Sequence, residues 1–496
     1  MGDGLITVPG RVLQAPPINY KNMQNKATKT TPMNGSWNMR NVRFHTASNI
    51  GNWTYVCVQS DRFRGNVDEE LAYNTVLGFQ QHLQQAGINA SGLLRGPPSI
   101  QHFDHNEGQT FNSVNNTFRL LSTSTKNPKP RFVLVILPFA DTPLYNAIKT
   151  IADTKAGIHT VCVVISKFSK PDGGQYFGNI ALKFNLKAGG INQTVDPAKL
   201  GVISEGKTMV VGLDVTHPSP GSKETAPSVS GMVASLDPQL GQWTSIAKVQ
   251  EKARTEMVTG LEAMFINGPL KGWSKKNKAL PENILIYRDG VSEGQYQLVL
   301  DVELPQFRNA CRQKYPADMT KKGLPKITIV ICGKRHHTRF YPKNEAEADK
   351  NSNCVAGTVV DRGVTESRSW DFFLQAHGCL KGTARPCHYY VILDEIFRFQ
   401  KVKPPHKNTA DALEDLTNNM CHLFGRATKA VSLCPPAYYA DLLCTRMRCY
   451  LSDQYDPTDR ASTPSVTGSV TSSTFLAGMA QQIQVHQDIA GSMFFI

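Results

Sequence analysis

The sequence predicts an α/β protein of two or three domains. Its 496 residues exceed what one hydrophobic core usually serves, and a hydrophobic content of 40% can fill several cores. Between residues 46 and 195, apolar strand-like runs alternate with helical segments. That alternation is typical of a Rossmann-like α/β domain, and the longer remainder, residues 196–496, favours a second domain with a mixed sheet and helices.

Local composition predicts the elements of the first part of the chain. Residues 1–45 are rich in Pro, Asn and Thr, which indicates a linker without regular structure. The elements predicted after it are, in order, a strand over 52–58, a helix near 67–86, a strand over 132–137, a helix near 143–153 and a strand over 160–165.

The second part of the chain begins with several strands in succession. Residues 229–235 predict one of these strands, and residues 244–266 predict a long helical stretch. Residues 457–474 are rich in Ser and Thr and nearly free of apolar side chains, so we expect a flexible surface loop there.

The charge balance indicates the class of partner. Lys and Arg outnumber Asp and Glu by 54 to 40, a net charge of +14, which favours a polyanion. Residues 305–343 hold ten Lys or Arg side chains and one acid, Asp318. Such a run is either a solvated face or a stripe that follows a phosphate backbone.

Cysteine usage and hydropathy indicate the compartment. The eleven cysteines show no C-x-x-C pair and no zinc-type spacing, which favours a reduced, cytoplasmic environment. The longest apolar run, residues 132–138, is too short to span a bilayer, and no signal peptide precedes it. We therefore expect no membrane association, and we expect a monomer.

Two strand-like runs, 75 residues apart, each end on an aspartate, Asp214 and Asp289. Because strand side chains alternate, Asp214 shares a face with Gly212, and Asp289 shares a face with Tyr287. Buried carboxylates are costly unless a cation neutralises them, and hard cations such as Mg²⁺ or Mn²⁺ prefer such oxygens. A strand-end aspartate also forms turns or caps helices, and spacing alone does not choose between the two roles.

Four motifs then point to one family. In order along the chain they are LDVTHP (213–218), YRDGVSEGQ (287–295), KRHHTR (334–339) and PAYYA (436–440). Together they resemble the PIWI domain of eukaryotic Argonaute proteins. The similarity extends back through GRVL (10–13), WNMRN (37–41), LP (137–138) and KAGG (187–190), and so covers nearly the whole chain.

The resemblance implies a domain order. Residues 1–45 would be the end of an L2-like linker, residues 46–195 a Rossmann-like MID domain, and residues 196–496 an RNase H-like PIWI domain. The N and PAZ domains of the family are absent from these residues, so we expect an expression fragment, with Met1-Gly2 as its added start.

The resemblance also implies a catalytic tetrad. Its members would be Asp214, Glu256, Asp289 and Asp441. Asp214, Asp289 and Asp441 would bind two Mg²⁺ or Mn²⁺ ions for cleavage of target RNA. Glu256 is expected on the helical stretch before Asp289, and Glu251 and Glu262 remain alternatives to it.

A second candidate site lies near residues 141–149. The sequence there predicts a helix start with Thr142 as N-cap, which sets Tyr145 and Lys149 on one face beside a terminus that attracts anions. Lys183 and Lys187 share a side in either a helix or a strand. Taken singly, each of these lysines also suits an ordinary surface position.

The resemblance assigns these residues to the MID pocket for a guide 5′-phosphate. Arg446 matches an arginine that the PIWI domain contributes, and we expect Cys162 to approach the phosphate because Thr160-Val161-Cys162 lacks the glutamine common in the family. Residues 493–496 are expected to dock beside this pocket. The residues matched to contacts with the guide backbone are Arg335, His337, Arg339, Arg426 and Tyr438.

The implied function is guided cleavage. The expected partners are a 5′-phosphorylated small guide RNA, complementary target RNA and silencing partner proteins. The alternative is a guide-binding silencing module that recruits partners without efficient cleavage. An unguided RNase H-like nuclease would leave Tyr145 and Lys149 without a role.

Overall fold

The structure is a computed structural model of the chain. It describes residues 4–60, 67–96, 98–103, 106–125, 127–170, 174–402, 404–455 and 473–496. Over these ranges, no helix combines the length and the apolar character that a membrane span requires. All eleven cysteines are free thiols.

Strands form three sheets in the described residues. The strands are β1 (Arg11–Val12), β2 (Ile18–Asn22), β3 (Ala27–Thr30), β4 (Val42–Arg43), β5 (Trp53–Ser60), β6 (Ile100–His102), β7 (Phe132–Leu137), β8 (His159–Val164), β9 (Thr208–Thr216), β10 (Val229–Ser235), β11 (Trp243–Val249), β12 (Asn283–Asp289), β13 (Lys326–Gly333), β14 (Thr358–Val360), β15 (Trp370–Gln375) and β16 (Cys387–Asp394). Helices cover these sheets and supply the rest of the cores.

The described α-helices range from single turns to 17 residues. They are α1 (Glu69–Gln85), α2 (Glu107–Thr123), α3 (Thr142–Thr150), α4 (Ile165–Phe168), α5 (Gly174–Lys187), α6 (Leu261–Phe265), α7 (Lys271–Asn277), α8 (Tyr296–Leu298), α9 (Leu304–Lys314), α10 (Thr409–Cys421), α11 (Pro435–Tyr450), α12 (Ser452–Tyr455), α13 (Ser473–Gln482) and α14 (Gln487–Ala490). The loop predicted over 457–474 falls outside the described residues, except that Ser473 and Thr474 begin α13.

The predicted Rossmann-like unit is a four-stranded parallel sheet in the order β6-β5-β7-β8. Its apolar strands are buried on both faces, as parallel strands covered by helices require. The prediction of an irregular linker before it is wrong in part. Three short strands, β2, β3 and β4, pair there, because their polar and apolar residues alternate between the prolines.

The second sheet has nine strands in the order β1-β14-β15-β16-β13-β12-β9-β10-β11. It is mixed: β12 runs parallel to both β9 and β13, whereas β10 is antiparallel to β9. The helix predicted over 244–266 is wrong. Residues 243–249 form edge strand β11 against β10, residues 250–260 are irregular, and only residues 261–266 are helical, as α6 and the first residue of a π-helical turn. The β-branched Thr244, Ile246 and Val249 suit a strand that pairs along its length.

Helix α11 crosses the nine-stranded sheet at very short range. Gly212 on β9 and Gly231 on β10 lie beneath it, and a Cβ at Gly212 would lie 1.9 Å from the Pro436 carbonyl oxygen. At Gly231 an added Cβ would lie 2.8 Å from Cys444 Sγ. The two glycines therefore set how closely the helix approaches β9 and β10.

We predict that Gly212→Ala destabilises the protein. The added methyl group overlaps the helix backbone, so α11 must move off the sheet at a cost of about 2–3 kcal/mol of unfolding free energy. The midpoint of thermal or urea unfolding measures this change. Gly478→Ala in α13 is the control, since its methyl group meets no atom within 4 Å, and its midpoint should stay equal or rise. Equal midpoints for wild type and Gly212→Ala would contradict the close contact.

Candidate active site and phosphate pocket

Parallel strands bring two of the predicted carboxylates together. In the register of β9 and β12, Arg288 lies beside Leu213, so Asp289 follows next to Asp214 at the same end of the sheet. The predicted alternation of side chains along β9 is confirmed. Val211, Leu213 and Val215 pack into the hydrophobic core on one face of the sheet, and Val210 packs into the core on the other face. Asp214 is 8% exposed.

Helix α11 brings the third carboxylate, Asp441, to the same end of β9. The thiol of Cys444, one turn along the helix, donates to the Asp214 carbonyl oxygen at 3.5 Å. Asp441 is also near enough for its charge to raise the pKa of Asp214. The contact of α11 with the two glycines therefore sets the spacing between Asp441 and Asp214.

Glu256 reaches the site from the irregular segment 250–260, not from the predicted helix. A Cβ at Gly290 would lie 3.1 Å from Glu256 Oε1 and 3.4 Å from Asp214 Oδ1, so both carboxylates border the same small space. The rival residues point elsewhere. Glu251 is 70% exposed and 3.9 Å from Lys248, and Glu262 accepts a hydrogen bond from Gln313.

Two side chains, Arg288 and His217, fix the Glu256 carboxylate. Arg288 Nη1 donates to Glu256 Oε1 at 2.7 Å, and His217 Nε2 lies 2.8 Å from Glu256 Oε2. Arg288 is fully buried and is held from its other side by Glu303, whose Oε1 also accepts from Val258 N at 3.0 Å. Glu303 thus anchors both the arginine and the segment that carries Glu256.

The site carries more negative charge than its surroundings neutralise. Burial, reinforced by Asp289 and Asp441, raises the pKa of Asp214 to about 8. Burial raises the pKa of Asp289 to about 6, although the hydrogen bond from Gly290 N opposes the shift. Burial also raises the pKa of Asp441, against the attraction of the Arg335 guanidinium. Clustered carboxylates shift in this way when no cation lies among them.

This donor set fits divalent cations. Its ligands are hard carboxylate oxygens, and their raised pKa values are the signature of an uncompensated charge that a cation relieves. The oxygens are not tightly gathered. Within the described ranges, the group of three ligating side chains whose atoms lie within 4.8 Å of one another is Asp361, Asp411 and Glu414.

That second acidic group already has its cation. The Arg11 guanidinium lies 2.7 Å from Asp361 and 2.9 Å from Asp411, and it also pairs with Glu414. Arg11 belongs to β1, whose partner strand is β14. The group therefore fastens the first strand of the chain to the edge of the large sheet.

A cavity of about 220 Å³ lies between α3, β8 and α11. Its walls are cationic and aromatic on one side and apolar on the other. The lining residues are Tyr145, Lys149, Thr160, Val161, Cys162, Lys183, Arg426, Leu442, Thr445, Arg446, Cys449, Phe495 and Ile496. Five of the six predicted phosphate residues are among them.

The N-cap of α3 differs from the prediction. Asp141, not Thr142, accepts from Leu144 N at 2.7 Å, because Thr142 is already the first helical residue. Tyr145 and Lys149 lie one turn apart as predicted, and the Lys149 ammonium lies 5.3 Å from the Tyr145 ring centroid. That ammonium donates to the Thr160 carbonyl and hydroxyl oxygens at 2.8 and 2.7 Å.

Lys183 and Lys187 lie one turn apart on α5, but they face different partners. Lys183 lines the cavity, and burial, with the nearby Arg426 and Lys149, lowers its pKa to about 8. Lys187 is 1% exposed, is absent from the cavity wall and donates to the Phe494 carbonyl oxygen. The docked C-terminal tail lies against it, and its contact with a guide phosphate stays a prediction.

Arg446 joins the cavity to buried groups behind it. Its Nη1 lies 2.7 Å from Asp153 Oδ2 and donates to Phe494 O at 3.1 Å, and Tyr450 Oη donates to the same Asp153 oxygen at 2.8 Å. The docking expected for residues 493–496 is present, since all four are buried. No sequence pattern predicted the roles of Asp153 and Tyr450. His217 and Arg288 lie inside the motifs LDVTHP and YRDGVSEGQ, so the sequence could have indicated them.

The residues expected to contact a guide backbone fall into two groups. Arg426 and Tyr438 are near the cavity, where Tyr438 stacks on Phe424 at 4.5 Å between ring centroids. Arg335, His337 and Arg339 follow β13 in an irregular segment, with Arg335 and His337 exposed. Arg339 donates to two nearby carbonyl oxygens. Their contact with a backbone stays a prediction.

Comparison with known proteins identifies the domains. Residues 132–452 match the family model for the Piwi domain, and residues 31–119 match the model for the Mid domain of argonaute. Protein argonaute MEL1 of Oryza sativa subsp. japonica is 34% identical over 99% of the chain. The chain spans 46% of that relative's length.

Two solved structures share the fold. Kluyveromyces polysporus Argonaute with a guide RNA superposes with a TM-score of 0.80 at 27% identity, over 100% of this chain and 57% of that one. The MID-PIWI domains of N. crassa QDE-2 AGO give a TM-score of 0.64 at 30% identity, over 92% of this chain and all of theirs. The chain therefore belongs to the Argonaute family, and its two α/β units are a MID domain and an RNase H-like Piwi domain.

Proposed function

We propose that this chain binds the 5′-phosphorylated end of a small guide RNA and cleaves complementary RNA. The observation that carries the proposal is that α11 contributes Asp441 to a group of acids around the buried Asp214 and, five residues later, Arg446 to a cationic cavity. One helix thereby serves both a phosphate site and a metal-type site. The related Kluyveromyces polysporus protein was solved with a guide RNA.

The cavity suits a terminal phosphate. Lys149, Lys183, Arg426 and Arg446 surround it with positive charge, and a phosphate monoester carries about two negative charges at neutral pH. The Tyr145 ring at the wall offers a face on which the first base can stack. A 5′-hydroxyl end would bring no negative charge to these four cations.

The acid group suits two-metal chemistry. Asp214, Asp289 and Asp441 would hold Mg²⁺ or Mn²⁺, and a bound pair supplies activation of a water and stabilisation of the leaving oxygen. Glu256 is held by Arg288 and His217, so its carboxylate is oriented before substrate arrives. Gly290 leaves the space beside Glu256 and Asp214 open to the scissile phosphate.

The second candidate function is a guide-binding silencing module that recruits partner proteins and cleaves poorly. No three of the four acids have ligating atoms within 4.8 Å of one another in the described residues, which favours it. The two candidates share the phosphate cavity and differ in whether the acids complete a working centre. Cleavage assays on tetrad variants separate them.

Asp214→Ala and Asp441→Ala should each lower guided cleavage by more than about 100-fold, because each removes a ligand that the others do not replace. Glu256→Gln should also abolish cleavage. Glu251→Gln is the matched control, since Glu251 is exposed and its loss should change nothing. The assay measures product from labelled target RNA with a matched 5′-phosphorylated guide. Undiminished cleavage by either aspartate variant would refute the assignment.

Metal binding at the acid group should release protons. Asp214, with a pKa of about 8, holds its proton at pH 7 and must lose it to bind Mn²⁺, so affinity should rise with pH up to about 8. Calorimetry at pH 7 in buffers of different ionisation enthalpy should give about one proton released per binding event. Asp214→Asn should remove that release. A binding enthalpy independent of buffer would contradict the raised pKa.

The cavity should discriminate a 5′-phosphate from a 5′-hydroxyl. Lys183→Ala should weaken binding of 5′-phosphorylated RNA by roughly 10–100-fold, because a charged contact is lost, and should barely affect 5′-hydroxyl RNA. A bound phosphate favours the charged ammonium, so affinity should fall as pH rises above about 8. Fluorescence anisotropy gives both affinities, with exposed Lys275→Ala as control. Equal affinity for the two RNA ends would refute the pocket.

A further inference from the structure

An exposed surface lies at the end of the nine-stranded sheet opposite to Asp214 and Asp289. Neither the acid group nor the phosphate cavity includes it. We name it the β16 basic surface and define it as Lys326, Arg398, Phe399, Lys401 and Val402. All five side chains are exposed, and Phe399 is 62% exposed. An exposed apolar surface rimmed by charged residues is a feature of binding sites.

The aromatic ring is held among cations. Lys326 Nζ lies 5.3 Å from the Phe399 ring centroid, and Arg398 Cζ lies 4.6 Å from it. Lys326 begins β13, whereas Arg398 and Phe399 follow β16, so two separate segments meet at this ring. Proteins that bind single-stranded nucleic acid combine positive charge along the backbone with aromatic side chains on which bases stack, and arginine adds cation–π contacts.

The turn that presents Phe399 is ordered before any partner arrives. Asp394 Oδ1 accepts from Phe397 N at 2.9 Å, and Asp394 Oδ2 accepts from Arg398 N at 2.8 Å. Residues 397–399 then form one turn of 3₁₀-helix. A preformed turn lowers the entropy cost of binding.

The acids near this surface are already engaged. Glu395 Oε1 lies 2.7 Å from Arg308 Nη2, and Glu395 Oε2 accepts from Ile327 N at 3.0 Å. Between Glu395 and Asp411 the sequence has no acid and four Lys or Arg residues. Over the described residues, Lys326, Arg398 and Lys401 form no ion pair, so their charge remains available to a polyanion.

The surface is separate from the acid group. Lys326 pairs with Asn283 at the start of β12, whereas Asp289 ends that strand. Six residues at about 3.3 Å each put the two ends of the strand roughly 20 Å apart. A ligand of the β16 basic surface therefore lies outside the candidate active centre.

We infer that the β16 basic surface binds single-stranded RNA, with a base stacked on Phe399 and phosphates paired with Lys326 and Arg398. This surface can hold a stretch of RNA that is not paired with a guide. The inference does not depend on the proposed cleavage, because the contacts are to the backbone and to one base face.

The test measures binding of a labelled 5′-hydroxyl oligouridylate by fluorescence anisotropy at several salt concentrations. An excess of uridine 5′-monophosphate, which offers a terminal phosphate without an RNA backbone, occupies the phosphate cavity, and the assay is repeated without it. Phe399→Leu should weaken binding roughly tenfold, whereas Phe399→Trp should retain it. Lys326→Ala with Arg398→Ala should lower the salt slope by about 1.4, since each phosphate contact on a single strand contributes about 0.7.

Lys271→Ala with Lys275→Ala is the matched control. It removes the same charge from exposed positions one turn apart on α7, and its affinity and salt slope should stay close to wild type. Thermal unfolding midpoints check that every variant is folded. Phe399→Leu binding within twofold of wild type would overturn the inference. A second outcome would also overturn it. If the β16 variants lose binding to polyglutamate but keep their RNA binding, the surface binds an acidic protein instead.

Discussion

The contact between α11 and the strands beneath it is the constraint on which both candidate sites depend. Gly212 and Gly231 allow the helix backbone to lie directly on β9 and β10, closer than any side chain with a Cβ would permit. Asp441 then reaches the end of β9, where Asp214 already lies. At about 1.5 Å of rise per residue, Arg446 lies roughly 7.5 Å farther along the same axis, in the wall of the phosphate cavity.

The chain terminus is built into this arrangement. Phe494 offers its carbonyl oxygen to Arg446 and to Lys187, and Phe495 and Ile496 close the apolar side of the cavity. Lys187 is buried deeply enough that its pKa falls well below the usual range, first from desolvation and then from the charge of Arg446. The C-terminal tail therefore forms part of the pocket wall. Lys187 holds the tail in place through its hydrogen bond to the Phe494 carbonyl oxygen.

The sequence predicted the parts of the site that lie on strands and within motifs. Asp214 and Asp289 were found from strand periodicity, and their adjacency followed once β9 and β12 paired in parallel. Glu256 was assigned by resemblance to a helix, yet its position depends on hydrogen bonds from Arg288 and His217. Tertiary contacts of this kind leave no periodic trace in an irregular segment.

Long-range packing accounts for the other differences between the predicted and the observed structure. Residues 243–249 have a composition that a helix tolerates, and pairing with β10 makes them a strand. Asp153 lies on a π-helical turn and meets Arg446 across 293 residues of sequence, a pairing that no local pattern announces. The exposed Phe399 likewise acquires its cationic surroundings only when β13 and β16 pair and bring Lys326 to it.

Asp441 and Arg446, five residues apart on α11, lie in surroundings that impose opposite electrostatic costs on the folded chain. Around Asp441, burial raises the pKa values of both Asp441 and Asp214, and the charges of Asp289 and Asp441 raise that of Asp214 further. Around Arg446, Lys183 is pushed the other way by burial and by its cationic neighbours. A cation bound near Asp441 and a phosphate bound near Arg446 would each relieve the local electrostatic cost, and ligands that bind only the folded state stabilise it. Since both residues belong to one rigid helix, fixing the position of either restricts the position of the other, so the geometry of the cavity and that of the acid group cannot vary independently.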